Sequence, residues 1–273
     1  MTRRLLLAVV LTSSIFALAQ SGQNASGASP AATTTGASPA ATTTCAATFS
    51  SGSGHNLTKY CVTVNGNITQ FSRGGDEYIQ VGGPGEGYGI CDLSTNTAYF
   101  DYGFNDSGNW GPASPSFNPT TAVSSRFTSD GIFQITTTVT QVAATASAPG
   151  SAKVSMKIKN WSGISRTIYL LRQADVDFLR SGTSDFTNDF DFTLDTSMGL
   201  EHGFKSGLSL TTNTFNFPYD AYTQNVPNGP NSCAPTANLA AQPFVGDGSV
   251  VQLYLIGLPS LATKTVNMTY KPI

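Results

Sequence analysis

The chain reads as an all-β protein: a large antiparallel two-sheet sandwich of about a dozen strands with little helix. Three observations predict this. From Cys45 to the end, stretches of alternating apolar and polar residues are separated by clusters of Gly, Pro, Asn and Ser. Polarity is carried by Ser, Thr, Asn, Gln and Gly, with only 11% of residues charged, which suits strands and turns rather than helices with charged outer faces. Helix start signals of the capping-box kind are nearly absent.

Taken in order, residues 1–19 read as a secretory signal peptide: Thr2-Arg3-Arg4 is the basic start, Leu5–Leu18 the apolar stretch and Ala17-Leu18-Ala19 the small-residue cleavage site. The apolar stretch is interrupted by Thr12, Ser13 and Ser14 and falls short of the roughly 20 residues that span a bilayer. Residues 20–44 carry an exact nine-residue duplication, Gly27–Thr35 and Gly36–Thr44, with no aromatic and no charged residue. So little apolar surface cannot offset the entropy of ordering the segment, so it reads as a disordered tether. The expected location is therefore secreted, periplasmic or cell-surface, with no transmembrane segment in the mature chain.

Residues 45–273 are expected to form a single β-sandwich domain, long enough to bury a full core. The alternation is clean in Lys153–Asn160, where Val154, Met156 and Ile158 face one way and the lysines and serine the other. Gly131–Val142 reads as the preceding long strand, and Val250–Leu258 and Thr263–Lys271 as a closing pair joined across Pro259-Ser260. Further strands are expected at Tyr60–Val64, Asn67–Ser72, Glu77–Val81, Ala98–Tyr102, Val123–Thr128, Ile164–Gln173, Phe190–Leu194 and Leu208–Phe217. Four cysteines in an exported chain predict two disulfides, and of the three connectivities Cys45–Cys61 with Cys91–Cys233 is favoured. The first closes a short loop and the second ties a late Pro/Asn-rich loop to the body.

The net charge of −2 excludes a phosphate-gathering surface, so nucleic acid is not an expected partner. The glycines of Gly82–Gly89 neither open a helix nor precede a lysine, which rules out a phosphate cradle. They read as a sharp turn with room for a close approach, and Glu86 at its tip as a residue to test.

Two features could hold a ligand. Asp175, Asp177, Asp185, Asp189, Asp191 and Asp195 put six of the sixteen acidic residues within twenty-one positions, offset only by Arg180. Clustered carboxylates repel unless a cation sits among them, and calcium, hard and oxygen-seeking, suits Asp175, Asp177, Asp185, Asp189 and Asp191, although no EF-hand spacing is present. The second feature is the aromatic stretch Tyr99–Trp110, where Tyr102, Phe104 and Trp110 could stack on a sugar ring beside Asn and Asp; as strand residues they could equally build core.

Catalytic material is thin. His55 and His202 are the only histidines, and no G-x-S-x-G elbow presents a serine to them. The expected function is a non-catalytic binding or surface-interaction module, for carbohydrate or another surface protein, with calcium as a brace. The competing expectation is a glycoside-cleaving enzyme using paired Asp and Glu carboxylates.

Overall fold

The computed structural model describes residues 44–79, 85–103, 105–180, 183–185, 188–224, 229–235 and 243–273. The expected signal segment, all but the last residue of the tether, and Phe104 lie outside them. The first strands are β1 (Ala47–Ser51), β2 (Thr58–Val62), β3 (Ile68–Arg73), β4 (Asp76–Glu77), β5 (Glu86–Asp92) and β6 (Thr97–Asp101). A run of long strands follows: β7 (Ser114–Asn118), β8 (Thr121–Phe127), β9 (Phe133–Val142), β10 (Ser151–Asn160) and β11 (Arg166–Asp175). After these come β12 (Phe178–Arg180), β13 (Thr183–Asp185), β14 (Asn188–Phe192), β15 (Thr196–Glu201), β16 (Gly207–Thr212) and β17 (Tyr219–Gln224). The chain closes with β18 (Phe244–Gly246), β19 (Ser249–Leu258) and β20 (Thr263–Pro272).

The architecture is the antiparallel all-β sandwich that the alternation predicts, built from three sheets. One has the order β18-β14-β15-β16-β20-β10-β9-β8-β7, a second β17-β19-β11-β5-β6, and a third β1-β2-β3-β4-β12-β13. Lys153–Asn160 falls within β10, whose ten residues pair with all ten of β9, so Ala143–Ser151 is a hairpin connection rather than a linker between two domains. Val154, Met156 and Ile158 are buried and Lys153 and Lys157 exposed, as the two-residue period requires.

The structure holds more strands than the alternation shows, and the extra ones have identifiable disguises. β7 contains Pro115 and is an edge strand, where a missing N–H costs no ladder bond. β5 corrects the reading of the glycine-rich stretch: Glu86 stands not at a loop tip but at the start of a strand buried along its whole length. Its glycines permit close approach. A Cβ on Gly87 would lie 1.8 Å from the Asp101 carbonyl oxygen, and one on Gly89 2.8 Å from the Tyr102 hydroxyl.

The five-stranded sheet is buried on both faces. One face contributes Tyr88, Ile90, Ile168, Leu170, Ala174, Val250, Tyr254 and Ile256 to the main core, shared with Val154, Met156, Ile158, Val266, Met268 and Tyr270 of the nine-stranded sheet. The other carries Tyr102, Leu171, Tyr222, Val251 and Leu253. Residues 229–235 pack on this second face: Cys233 is bonded to Cys91, the Tyr102 hydroxyl donates to the Pro230 carbonyl at 2.7 Å, and the Tyr222 hydroxyl donates to that of Pro235 at 2.7 Å. Cys45 is bonded to Cys61, so the favoured connectivity is the one formed.

Charge is buried in the main core, and it is paired. The guanidinium of Arg172 forms a two-pronged ion pair with Glu86 and donates to the Gly66 carbonyl at 3.0 Å. Glu86 also accepts from the Tyr270 hydroxyl at 2.5 Å and from the backbone N–H of Ile68. A second network joins Arg126 to Asp101 and Asp106, with the side-chain amides of Asn65 and Asn67 donating to Asp101 at 2.8 and 2.6 Å. Breaking a buried pair leaves one charge without compensation, so Arg172→Met is expected to lower unfolding free energy by about 3–5 kcal/mol. The double variant Glu86→Gln/Arg172→Met should lose less than this single one in urea denaturation at neutral pH, and an equal or larger loss would contradict the pairing argument.

Candidate metal site

The end of β11 and the start of β19 lie side by side, with Asp175 opposite Ser249 and Ser249 opposite Gln224 of β17. Directly opposed residues of antiparallel strands project from one face, so Asp175, Ser249 and Gln224 form a polar row at one edge of an otherwise apolar surface. Asp177 follows two residues after Asp175, and Asp247 sits in the turn that leads into β19. That turn is drawn close by Gly248, whose Cβ would lie 2.5 Å from the Gln224 carbonyl oxygen. The turn is held to β11 by the Val176 N–H donating to the Gly248 carbonyl at 3.3 Å.

One carboxylate oxygen from each of Asp175, Asp177 and Asp247 falls within 4.8 Å of the others. Asp175 and Asp177 are buried and Asp247 half-buried. Neither oxygen of Asp175 has a hydrogen-bond partner among the described residues, and the same holds for both amide atoms of Gln224, itself fully buried. The other wholly buried carboxylates are each met by an arginine: Glu86 by Arg172, Asp101 by Arg126 and Asp92 by Arg166. Burial pushes the Asp175 carboxyl up to about 9, and the neighbouring Asp177 and Asp247 push in the same direction. Asp247 is raised for the same first reason.

The expected calcium residues are thus partly brought together and partly dispersed. Asp175 and Asp177 converge. Asp189, on β14, pairs instead with the exposed His202 imidazole at 2.7 Å, and Asp191 accepts from the Phe192 N–H at 2.8 Å on the exposed side of the same strand. Asp185 lies on β13, and its side chain is outside the described part of the structure. Asp247 completes the cluster from a position seventy-two residues after Asp175, which sequence proximity could not supply. Its only local signal is the Gly246-Asp247-Gly248 turn ahead of the apolar run of β19.

The expected sugar-stacking residues are placed elsewhere. Trp110 is 1% exposed, its indole N–H donating to the Phe100 carbonyl at 3.1 Å and its ring set edge-on to Tyr88 and Tyr99. Tyr102 is equally buried beneath residues 229–235, stacked on Phe100. These are the core rings that strand residues commonly supply. Ser206, the serine nearest His202 in sequence, donates to Glu201 at 3.1 Å.

No protein-family model matches the chain, and no curated protein matches it in sequence. Among solved structures, a bacterial glucoamylase complexed with acarbose superposes with a TM-score of 0.58 at 7% identity, over 87% of this chain and 33% of the other. The chain therefore spans about a third of that enzyme's length. A galactose mutarotase-like protein from Lactobacillus casei aligns at 10% identity over 83% of this chain and all of the other, with a TM-score of 0.48. The glucoamylase likeness is one of fold.

The raised Asp175 carboxyl has a consequence for stability. Its folded value lies above the unfolded value of about 3.9, so the folded chain holds a proton that the unfolded chain releases as pH rises. In chelator, the stabilisation tied to this group is fully present below about pH 4 and is lost progressively as pH rises toward about 9. Urea midpoints across that window should fall for the wild type and change less for Asp175→Asn; parallel profiles would remove the group from this role.

Proposed function

We propose that the chain is an exported, non-catalytic carbohydrate-binding module in which Asp175, Asp177 and Asp247 hold a calcium ion as a structural brace. The observation that carries the brace is the Asp175 carboxylate: wholly buried, with both oxygens unpaired among the described residues, beside two more carboxylates, where each other wholly buried carboxylate described is met by an arginine. A divalent cation removes the repulsion and supplies the missing partner, and oxygen-only donors at a turn suit calcium. Gln224, in register with Asp175 across Ser249, offers a further oxygen on the same face.

Convergence on one point favours a brace over catalysis. Glycoside cleavage needs two carboxyl groups about 5–9 Å apart across a cleft that admits a sugar. Here the oxygens lie within 4.8 Å of one another and two of the three residues are buried. Support for carbohydrate as ligand comes from the sandwich fold shared with the glucoamylase, and support for export from the two disulfides.

A ligand bound only by the folded state stabilises it by about 2.7 kcal/mol at one hundred times its dissociation constant. Millimolar calcium should therefore raise the melting temperature of the full chain relative to excess chelator. The rise should vanish in Asp175→Asn and Asp247→Asn and persist in Asp189→Asn. An unchanged melt in the wild type would return the cluster to a proton-sharing group. Release of reducing sugar from a glycan, abolished by Asp177→Asn, would favour the enzyme instead.

A further inference from the structure

While Trp110 is buried, the chain's other tryptophan is not. Trp161 follows the last residue of β10 and is 43% exposed, as is Phe127 at the end of β8, with ring centroids 6.0 Å apart. Phe127, Gln134 and Lys159 are opposed to one another across β8, β9 and β10, so they project from one face, the solvent side of the nine-stranded sheet.

Trp161 is held flat on this row. The Lys159 ammonium lies 3.3 Å from the ring centroid, against one face of the indole. The indole N–H donates to Oε1 of Gln134 at 3.1 Å, and Nε2 of Gln134 donates to the Ser125 hydroxyl at 2.9 Å, itself 3.1 Å from that of Thr136. The chain of bonds fixes the ring before any ligand arrives, which reduces the entropy lost on binding. With Lys159 against one face and the Phe127 ring tilted 40° to it, the indole still keeps 43% of its surface in solvent.

The surface leading away from this ring is positive. The six adjoining strands β16, β20, β10, β9, β8 and β7 contain no Asp or Glu. Lys157 and Lys153 are exposed on β10 in line with Trp161, about 13 and 26 Å along the strand at ~3.3 Å per residue. Neither makes an ion pair among the described residues, and between them lie Ser155 of β10 and its neighbours Thr136, Thr138 and Thr140 of β9.

We infer that the outer face of β10 binds an acidic polysaccharide, one sugar ring packing on the exposed part of the Trp161 indole and the carboxylates of following sugars meeting Lys157 and Lys153. An aromatic plane with neighbouring hydroxyls suits a pyranose ring, and a lysine line without acidic neighbours selects an anionic chain over a neutral one. This rests on the carbohydrate-binding reading for the general class of ligand and on nothing in the aspartate cluster.

The test is native affinity electrophoresis of the full chain in gels containing polygalacturonate or amylose, without added calcium, beside acrylamide quenching of fluorescence. Since Trp110 is buried, quenching reports Trp161, and polygalacturonate should protect it. The wild type should be retarded by polygalacturonate more than by amylose, and the retardation should weaken with salt. Trp161→Ala should weaken binding about tenfold, as loss of one aromatic contact implies, and Trp161→Phe less. Lys153→Glu/Lys157→Glu should abolish the preference for the acidic chain, and circular dichroism of each variant should match the wild type.

Retardation by polygalacturonate that is indifferent to both Trp161→Ala and the lysine changes overturns this site but leaves the carbohydrate-binding reading standing, as does retardation by amylose alone. No retardation by either polymer overturns both. Association with phosphatidylglycerol vesicles that matches the binding to polygalacturonate and survives Trp161→Ala overturns the inference in favour of an anionic lipid surface.

Discussion

The guanidinium of Arg172 stands where the three sheets meet. It projects from β11 of the five-stranded sheet, shares Glu86 with the hydroxyl of Tyr270 from the nine-stranded sheet, and reaches the carbonyl of Gly66 between β2 and β3 of the third. Burying a charge costs several kcal/mol unless its partner and hydrogen bonds are in place. The pair therefore forms only when all three sheets are docked in one register, and it penalises arrangements that an apolar core alone would tolerate. The second network, around Arg126 and Asp101, ties β8 and β6 to the same β2–β3 connection through Asn65 and Asn67.

That frame gives the Asp175 carboxylate its meaning. Arg172 and Asp175 are three positions apart on one strand, so they project from opposite faces of the sheet. On the inner face the charge is met by the opposite charge; on the outer face, at the same depth of burial, no protein cation among the described residues meets it. The geometry converging on Asp175 is rigid: a ten-residue pairing of β11 with β19 fixes Ser249 beside it, and Gly248 allows the turn bearing Asp247 to press against β17. Asp175 thus sits on paired strands, and the turn bearing Asp247 is brought to it by their register.

Aromatic residues divide along the same line between interior and surface. Tyr88, Tyr99 and Trp110 form an edge-to-face group inside, and Arg126 packs over Trp110 at 5.2 Å. Phe127 and Trp161 stand outside on a strand row whose other members are polar. In sequence the stretch Tyr99–Trp110, with Tyr102, Phe104 and Trp110, looks the better sugar platform because it is dense and flanked by Asn and Asp. Those flanking groups instead serve the fold, with Asp101 bound to Arg126 and the Asn109 amide donating to the Ala98 carbonyl.

The sequence by itself determined the antiparallel all-β class, the long strands around Val154 and Val266, and that the four cysteines form two disulfides, while the structure selected Cys45–Cys61 and Cys91–Cys233 from the three connectivities. Each follows from a local cause: a two-residue period, punctuation by turn residues, and an even number of thiols in a chain that reads as exported. β5 was hidden because the constraint that requires its glycines, the backbone of Asp101 and the hydroxyl of Tyr102, lies at the end of another strand. Of the aspartates, Asp175 and Asp177 were legible as close neighbours on one strand end. Only the tertiary structure decided that Asp247 joins them, that Asp189 turns to His202, and that Trp161 rather than Trp110 meets solvent, because strand register brings together residues far apart in the chain and burial separates residues that are adjacent in it.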